Sequence, residues 1–507
     1  MRFHCALAVA IAIGLPALAA DWTGIWIGGT TALGSVAFVQ MEITQDSPAL
    51  RGALEVPSED VTLPLRDIET KGDTIVFRLP SPYGEFHFSG VLQGDIVRGR
   101  LKTPMGTDAT MHFRRTGASR SNGDAYAGTY RLPNGELLIV MARPHGQLRT
   151  IDTGTLASTR LAPLGGDRFL DAASVAQDPT AGKEVEFTRS GSGAVAASGG
   201  ARRVDLFVQE PVTFKSGELE IAGTLLMPRS KGPHPAAVIV HGSGAVTRDA
   251  LLQRAQLLLR MGIAVLLYDK RGTGESQGDW RSASFEELAT DAVAALHYLK
   301  ARPDIDRAKI GVVGHSQAGW IIPIIADRDP QIAFAVVASG GGVSPEEQEL
   351  FRAETQTRND FSAADADEAK RLTALQWSYA RTGGGWAEYE KAWQASATKL
   401  WFPRIAGPRT SSDPLWAQVR SFAAYDPLPY LRKMRVPVLV IFGASDENVP
   451  AKRAAELWRA NVGHADVVTV ADTGHNLIVR QKEGAAYAPQ YVHALKKWLQ
   501  KRKIVQR

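Results

Sequence analysis

Three side chains in this sequence could together perform nucleophilic chemistry. Ser316 lies in Gly311-Val-Val-Gly-His-Ser-Gln-Ala-Gly-Trp320, directly after an apolar run and directly before a helix-like one. A serine hydroxyl is a weak nucleophile until a base takes its proton and an acid orients that base. Two further apolar runs supply such partners just past their ends. Val438-Leu-Val-Ile-Phe442 leads to Asp446, and Val467-Val-Thr-Val470 leads to His475. Asp472 is the rival acid, but it lies close to His475 in sequence. Acyl transfer also needs donors for a developing oxyanion. The run Ala236–Val240 ends in His241-Gly-Ser-Gly244, whose Ser243 N–H, with the N–H of Gln317, could form that hole. His241 reads as structural and His315 as part of the pocket wall.

The elements that must position these residues follow from the pattern. From Val212 onward a hairpin (213–226) leads into alternating strands and helices, and strands such as Ala236–Val240 and Ile263–Tyr268 are wholly apolar. Fully apolar strands alternating with helices predict a doubly wound, mostly parallel α/β sheet. Ser284-Phe-Glu-Glu287 reads as a capping box opening a helix to about Ala301. Residues 344–433 interrupt the alternation with a helical insert. It carries cap signals at Ser344 and Ser362 and five of the eleven tryptophans. An insert after such a strand sits near the strand carboxyl ends, where ligands bind, so it is expected to be a lid.

Upstream the grammar is β. Residues 21–116 and 124–209 hold short, partly alternating strands separated by glycine and proline, and residues 117–123 read as a linker. Both stretches open with an aromatic-x-Gly-x-aromatic pattern, Trp22–Trp26 and Tyr126–Tyr130. They are expected to be two small all-β modules in which the aromatic pair packs one end of the core, a ligand cavity being the alternative.

Composition narrows the classes. The chain has 507 residues, 44% of them hydrophobic, and a formal charge of +5. The single cysteine, Cys5, excludes an internal disulfide framework, a zinc ribbon and a Cys-His-Cys deaminase site. Lys496, Lys497, Lys501, Arg502, Lys503 and Arg507 account for more than the whole excess charge. The body is therefore near neutral, which argues against nucleic acid as a partner, and the tail reads as a solvated helix end. Residues 1–20 have the layout of a signal peptide: Arg2, an apolar run from Cys5 to Leu15, then small residues before cleavage after Ala19 or Ala20. That run reaches about half of a ~30 Å hydrocarbon core. A periplasmic or secreted protein with no integral membrane segment after cleavage is expected.

Taken together, HGSG (241–244), YDKRGTGES (268–276), GHSQAGW (314–320), GASDENVP (443–450) and Asp472-Thr-Gly-His-Asn476 make residues 212–507 resemble α/β-hydrolase-fold serine hydrolases. They look most like the secreted bacterial branch of esterases and S33-type serine aminopeptidases. The resemblance implies the chain order Ser316, Asp446, His475 as nucleophile, acid and base. The nucleophile motif departs from G-x-S-x-G, with Ala318 in the last position and Gly319 one later. By the same resemblance Asp269-Lys-Arg-Gly272 is a structural turn. The expected function is hydrolysis of carboxylic esters through an acyl-enzyme, on a small acyl ester or short peptide, with no cofactor and no metal. The alternatives are a serine exopeptidase or amidase of the S33 or S9-like type, and a binding protein with a degenerate hydrolase domain.

Overall fold

The computed structural model describes residues 20–506 apart from 33–35, 47–48, 57–60, 82–83, 104–107, 117–122, 144–145, 190–194, 198, 205, 403–404, 406 and 482–483. The leader read at 1–20 and the linker read at 117–123 fall almost wholly outside the described residues. Two compact units are present, residues 1–121 with 160–186, and residues 122–159 with 187–507.

The first unit is built on a nine-stranded antiparallel sheet in which strand Gly24–Thr30 lies between Ala37–Asp46 and Asp108–Thr116. Its core gathers Trp22, Trp26, Phe77, Phe88 and Phe113. Trp22 and Trp26 lie 6.0 Å apart, so the opening aromatic pair is part of this core. Residues 160–186 belong here because a short helix, Ala172–Gln177, packs on strand Gly24–Thr30. Ile27, Ala162, Leu170 and Val175 form one cluster. Asp171 caps the helix by accepting from the Ala173 N–H. Six residues are too few to show a helical period, which is why this helix escapes a sequence reading. Its approach requires Gly29: a Cβ there would stand 2.0 Å from the Ala176 carbonyl oxygen.

In the second unit strand Gly128–Arg131 pairs with both Leu137–Ala142 and Ala201–Arg203. Tyr126 and Tyr130 pack against Phe187 at 4.8 and 5.7 Å between ring centres. The outward face of this segment is not solvated. Ile139, Met141, Ile151 and Leu156 share a core with the large sheet that follows.

That sheet has eight strands: β1 (Phe207–Ser216), β2 (Leu219–Pro228), β3 (His234–Val240), β4 (Ala264–Tyr268), β5 (Ile305–His315), β6 (Phe334–Ala338), β7 (Val438–Gly443) and β8 (Asp466–Val470). Their order is β1-β2-β4-β3-β5-β6-β7-β8. β1, β2 and β4 are antiparallel neighbours and every other pair is parallel. Successive side chains point to opposite faces, and β3 shows the result. Val238 joins the core under helices α2 (Phe285–Ala301) and α3 (Ala318–Arg328). Ala237 and Ile239 join the core on the other face, with Leu257 and Leu258 of helix α1 (Leu252–Leu259) and with Leu495. Ser284 forms the expected reciprocal capping box with Glu287.

The insert holds helices α4 (Pro345–Asp360), α5 (Ala363–Thr382), α6 (Trp386–Ser396), α7 (Leu415–Ala423) and α8 (Leu428–Lys433). Its tryptophans pack chiefly with one another's neighbours: Tyr379, Tyr389, Trp401 and Trp416 make a core of their own. The chain returns to the sheet through β7, α9 (Ala451–Asn461) and β8, and ends in the basic helix α10 (Pro489–Lys501). Between β8 and α10 a hairpin, Ile478–Gln481 with Gly484–Tyr487, went unread in the sequence. Among the described residues no helix is long and apolar enough to cross a membrane.

Replacing Gly29 by alanine should cost about 1–3 kcal/mol through overpacking against the 172–177 helix. Urea denaturation of the purified protein checks this; unchanged unfolding would mean that the helix gives way freely.

Candidate active site

β3 and β5 are neighbours from which the chain leaves in opposite directions, and ligands of open α/β sheets bind at such a switch point, outside the strand carboxyl ends. Ser316 follows β5 there. Its φ is +58°, a left-handed conformation that a residue with a side chain adopts at a cost of about 1–3 kcal/mol. The turn is held by Ser316 N–H donating to the Ala338 carbonyl at 2.9 Å, and by Gly319 N–H donating to the Ser316 carbonyl at 2.8 Å. The side chain of Ser316 is partly exposed, ahead of the first turn of α3.

The departure at Ala318 has a local explanation. Its methyl occupies the space that a Cβ on Gly314 would need; such an atom would lie 2.3 Å from the Ala318 Cβ. The close backbone approach falls instead on Gly319, where a Cβ would meet Gly340 and Gly341 at 2.2–2.3 Å. Gly340 in turn abuts the Ser316 carbonyl. The glycine requirement has moved one residue on.

Asp446 and His475 are brought together. Nδ1 of His475 lies 3.0 and 2.9 Å from the two carboxylate oxygens of Asp446, and both side chains are buried. Asp446 Oδ1 also accepts from the Asn448 and Val449 N–H groups, which fix the carboxylate. The two turns are laced by Ser445 N–H to the Thr473 carbonyl, 2.9 Å. Gly443 permits this: a Cβ there would lie 2.3 Å from the Gly474 carbonyl oxygen. Asp472 is exposed on the outside of its turn. Nδ1 engaged by the carboxylate leaves Nε2 of His475 as the nitrogen available to a hydroxyl. Among the described residues Ser316 Oγ makes no hydrogen bond, and serine–base contacts of this kind often tighten only with substrate.

The oxyanion loop lies beside the serine. A Cβ on Gly242 would be 3.9 Å from the Ser316 Cβ. Among the described residues neither the Ser243 nor the Gln317 N–H has a hydrogen-bond partner.

Three residues are seen here in roles the sequence left blurred. His315 sends Nε2 to the His475 carbonyl at 2.9 Å and its ring lies 4.5 Å from that of His475. Burial, then the Arg254 and His475 charges, hold its pKa well below the ordinary value. It is therefore neutral, and its Nε2–H donates to the backbone of the His475 loop. His241 is likewise buried, against Tyr268. Its Nε2 lies 2.7 Å from the Tyr268 carbonyl, and burial and the nearby Lys270 lower its pKa to about 3. By sequence Lys270 reads only as part of a structural turn. Asp269 and Arg271 do fill that role: Asp269 accepts from Arg248 N–H and Glu275 N–H, and Arg271 forks onto buried Asp291 at 2.8 and 2.9 Å. Lys270 instead sends its ammonium into the site, to Gly242, Gly244 and Gln317. A lysine next to a buried strand end, between two structural charges, was the available signal. Among the described residues no cluster of three or more His, Cys, Asp or Glu side chains could hold a metal ion.

The insert overhangs this region. Gln356 of α4 donates to Asn448, two residues past Asp446, and Gln418 of α7 donates to the Trp280 carbonyl at 2.6 Å.

A serine on a strained strand–helix turn, a carboxylate-held imidazole and two unpartnered N–H groups are the arrangement of the hydrolase class, and the relatives are hydrolases too. The family model for X-Pro dipeptidyl-peptidases (S15 family) matches residues 217–481, just over half of the chain, and the chain belongs to that family. The esterase EstD of Thermotoga maritima is 30% identical over 139 residues, covering 25% of this chain and 33% of that one. The match thus spans a third of that relative's own length. A bifunctional esterase/perhydrolase of Acinetobacter calcoaceticus is 24% identical over 258 residues, covering 45% of this chain and 82% of the other. Among solved structures, an esterase of Pyrococcus furiosus is 16% identical with a TM-score of 0.39, covering 58% of this chain and 91% of that one.

Two substitutions separate the glycine roles at the turn. Gly319→Ala should destabilise the protein by about 1–3 kcal/mol and displace Ser316. Ala318→Gly should cost about 1 kcal/mol or less and keep the serine reactive. Chemical denaturation together with the rate of labelling by a fluorophosphonate reads both, and equal effects would sink the assignment.

Proposed function

We propose that this protein is a secreted or periplasmic serine hydrolase that cleaves carboxylic esters. Ser316 attacks the acyl carbon while His475 Nε2 takes its proton. Asp446 holds the imidazole in the required tautomer and stabilises the imidazolium. The Ser243 and Gln317 N–H groups receive the oxyanion as the tetrahedral intermediate forms. Collapse expels the alcohol, protonated by His475, and leaves an acyl-Ser316 ester. Water, activated by the same histidine, then releases the acid. The observation that carries this reading is the paired Asp446–His475 set, whose imidazole lies against His315, with the adjoining Ser316 held at φ +58°. The ester preference draws its support from the relatives named as esterases, and export from the leader-like first twenty residues.

A second reading, a serine exopeptidase acting on short peptides, is favoured by the family itself. The chemistry is the same and only the leaving group differs, an amine in place of an alcohol.

A fluorophosphonate should label the wild type and not Ser316→Ala. Asp446→Asn should lower kcat on p-nitrophenyl acetate by about 10³–10⁴, because the imidazole loses its tautomer control. Comparing that ester with X-Pro p-nitroanilides decides between the two readings: higher kcat/KM on the anilides would replace the esterase by the exopeptidase. Absence of labelling in the wild type would remove both. Amino-terminal sequencing of the exported protein should begin at Ala20 or Asp21; retention of residues 1–19 in the cell interior would overturn export.

A further inference from the structure

We propose that Lys270 is a positioning residue of the oxyanion hole, clamping both of its halves with one ammonium; this rests on the hydrolase reading above. Nζ lies 2.8 Å from the Gly242 carbonyl, 3.1 Å from the Gly244 carbonyl and 3.0 Å from Gln317 Oε1. An ammonium has three donors, and all three are used. Two of the acceptors flank Ser243 and the third belongs to Gln317, so one ammonium ties together the two segments whose N–H groups form the hole.

The first contact acts directly on a hole donor. The Gly242 carbonyl and the Ser243 N–H belong to the same peptide unit. In a planar trans peptide they point in opposite directions. A cation drawing the carbonyl to one side therefore turns the N–H to the other. Charge on the carbonyl oxygen also polarises that unit and strengthens its N–H as a donor. Gly242 and Gly244, the latter at φ +81°, have no side chains, and the ammonium holds the carbonyls they present. The Gln317 amide joins the loop to the helix start that carries the second donor.

Nothing competes for the ammonium. Among the described residues no carboxylate pairs with Lys270, whose side chain is buried. The groups around it are already committed. Asp269 is bound by Arg248, Arg248 also pairs with Glu275, and Arg271 is held by Asp291. His241 and the Tyr268 phenol are kept neutral by burial, and the Trp280 ring lies 5.9 Å from Nζ. Burial without a counter-charge lowers the pKa of Lys270 to about 7. As pH rises through that value the group loses its proton, one donor and the charge that makes the remaining bonds strong. The hole is thus expected to slacken on the alkaline side.

The test compares wild type, Lys270→Met and Lys270→Arg, with p-nitrophenyl acetate turnover and fluorophosphonate labelling rate followed between about pH 6 and 9. Labelling of the wild type is read first, because its failure speaks against the hydrolase reading and not against Lys270. Lys270→Met, close in length and uncharged, should lose about tenfold or more in kcat at the acid end, with KM within about twofold, since the oxyanion forms only in the transition state. Its profile should lack the alkaline decline of the wild type, and Lys270→Arg, which keeps its charge, should restore part of kcat and also lack that decline. Thermal melting separates these effects from unfolding. A Lys270→Met variant that melts like wild type and keeps kcat within about twofold, or that keeps the alkaline decline, overturns the proposal.

Discussion

The site depends on one close backbone approach, where the turn after β5 meets the turn after β6. Gly319 faces Gly340 and Gly341, and Gly340 faces the Ser316 carbonyl, at separations that leave no room for a Cβ. Ser316 can sit at φ +58° because the surrounding backbone over-determines it: its N–H is taken by Ala338 and its carbonyl by Gly319. The strain is local and is offset by the packing of α3, whose first two turns are buried throughout. The same contact fixes the start of the insert. Gly342 lies against α9, and the Trp458 indole of that helix donates to the Gly340 carbonyl at 3.2 Å. Nucleophile turn, insert root and the helix after the acid are thus tied together.

Around that turn the polar groups divide by charge. The two histidines that flank the site, His241 and His315, are held neutral by burial and donate to backbone carbonyls. They act as fixed dipoles. Net charge is supplied by Asp446 on one side and Lys270 on the other. Each is satisfied by hydrogen bonds directed at it, Asp446 by three N–H groups and Lys270 by three oxygens. In a region of low dielectric this is the condition for a charge to act on a neighbour without reorganising first.

How far the sequence spoke follows from how local each signal is. The wholly apolar runs of β3, β4, β6 and β7 were legible because those strands are buried on both faces, and the Ser284 and Ser362 boxes were legible because a cap is a four-residue event. The positions of Ser316, Asp446 and His475 at strand ends followed from the same runs. What sequence could not carry was contact between distant segments. The six-residue helix at 172–177 is defined by Gly29, far away in the chain. The pairing of Lys270 with Gly242 and Gln317 spans two helices and two strands. The tryptophans of the insert could be counted, but their partners could not be named. Four of the five, Trp386, Trp393, Trp401 and Trp416, lie in or against an internal core of the insert.

That internal core bears on how a substrate pocket could vary. The insert is fastened at its ends. Gly340 and Gly342 hold its root, and Phe422 stacks on Phe285 at 4.2 Å while the Tyr425 hydroxyl donates to the Trp320 carbonyl. Between these ends Tyr379, Tyr389, Trp401 and Trp416 bury one another, and the Tyr389 and Trp416 polar atoms are satisfied by carbonyls of the insert itself. A segment with its own core and fixed ends can change the side chains it turns toward the sheet without disturbing Ser316, Asp446 or His475. The insert and the strand ends that carry Ser316, Asp446 and His475 are therefore separately stabilised parts of one unit.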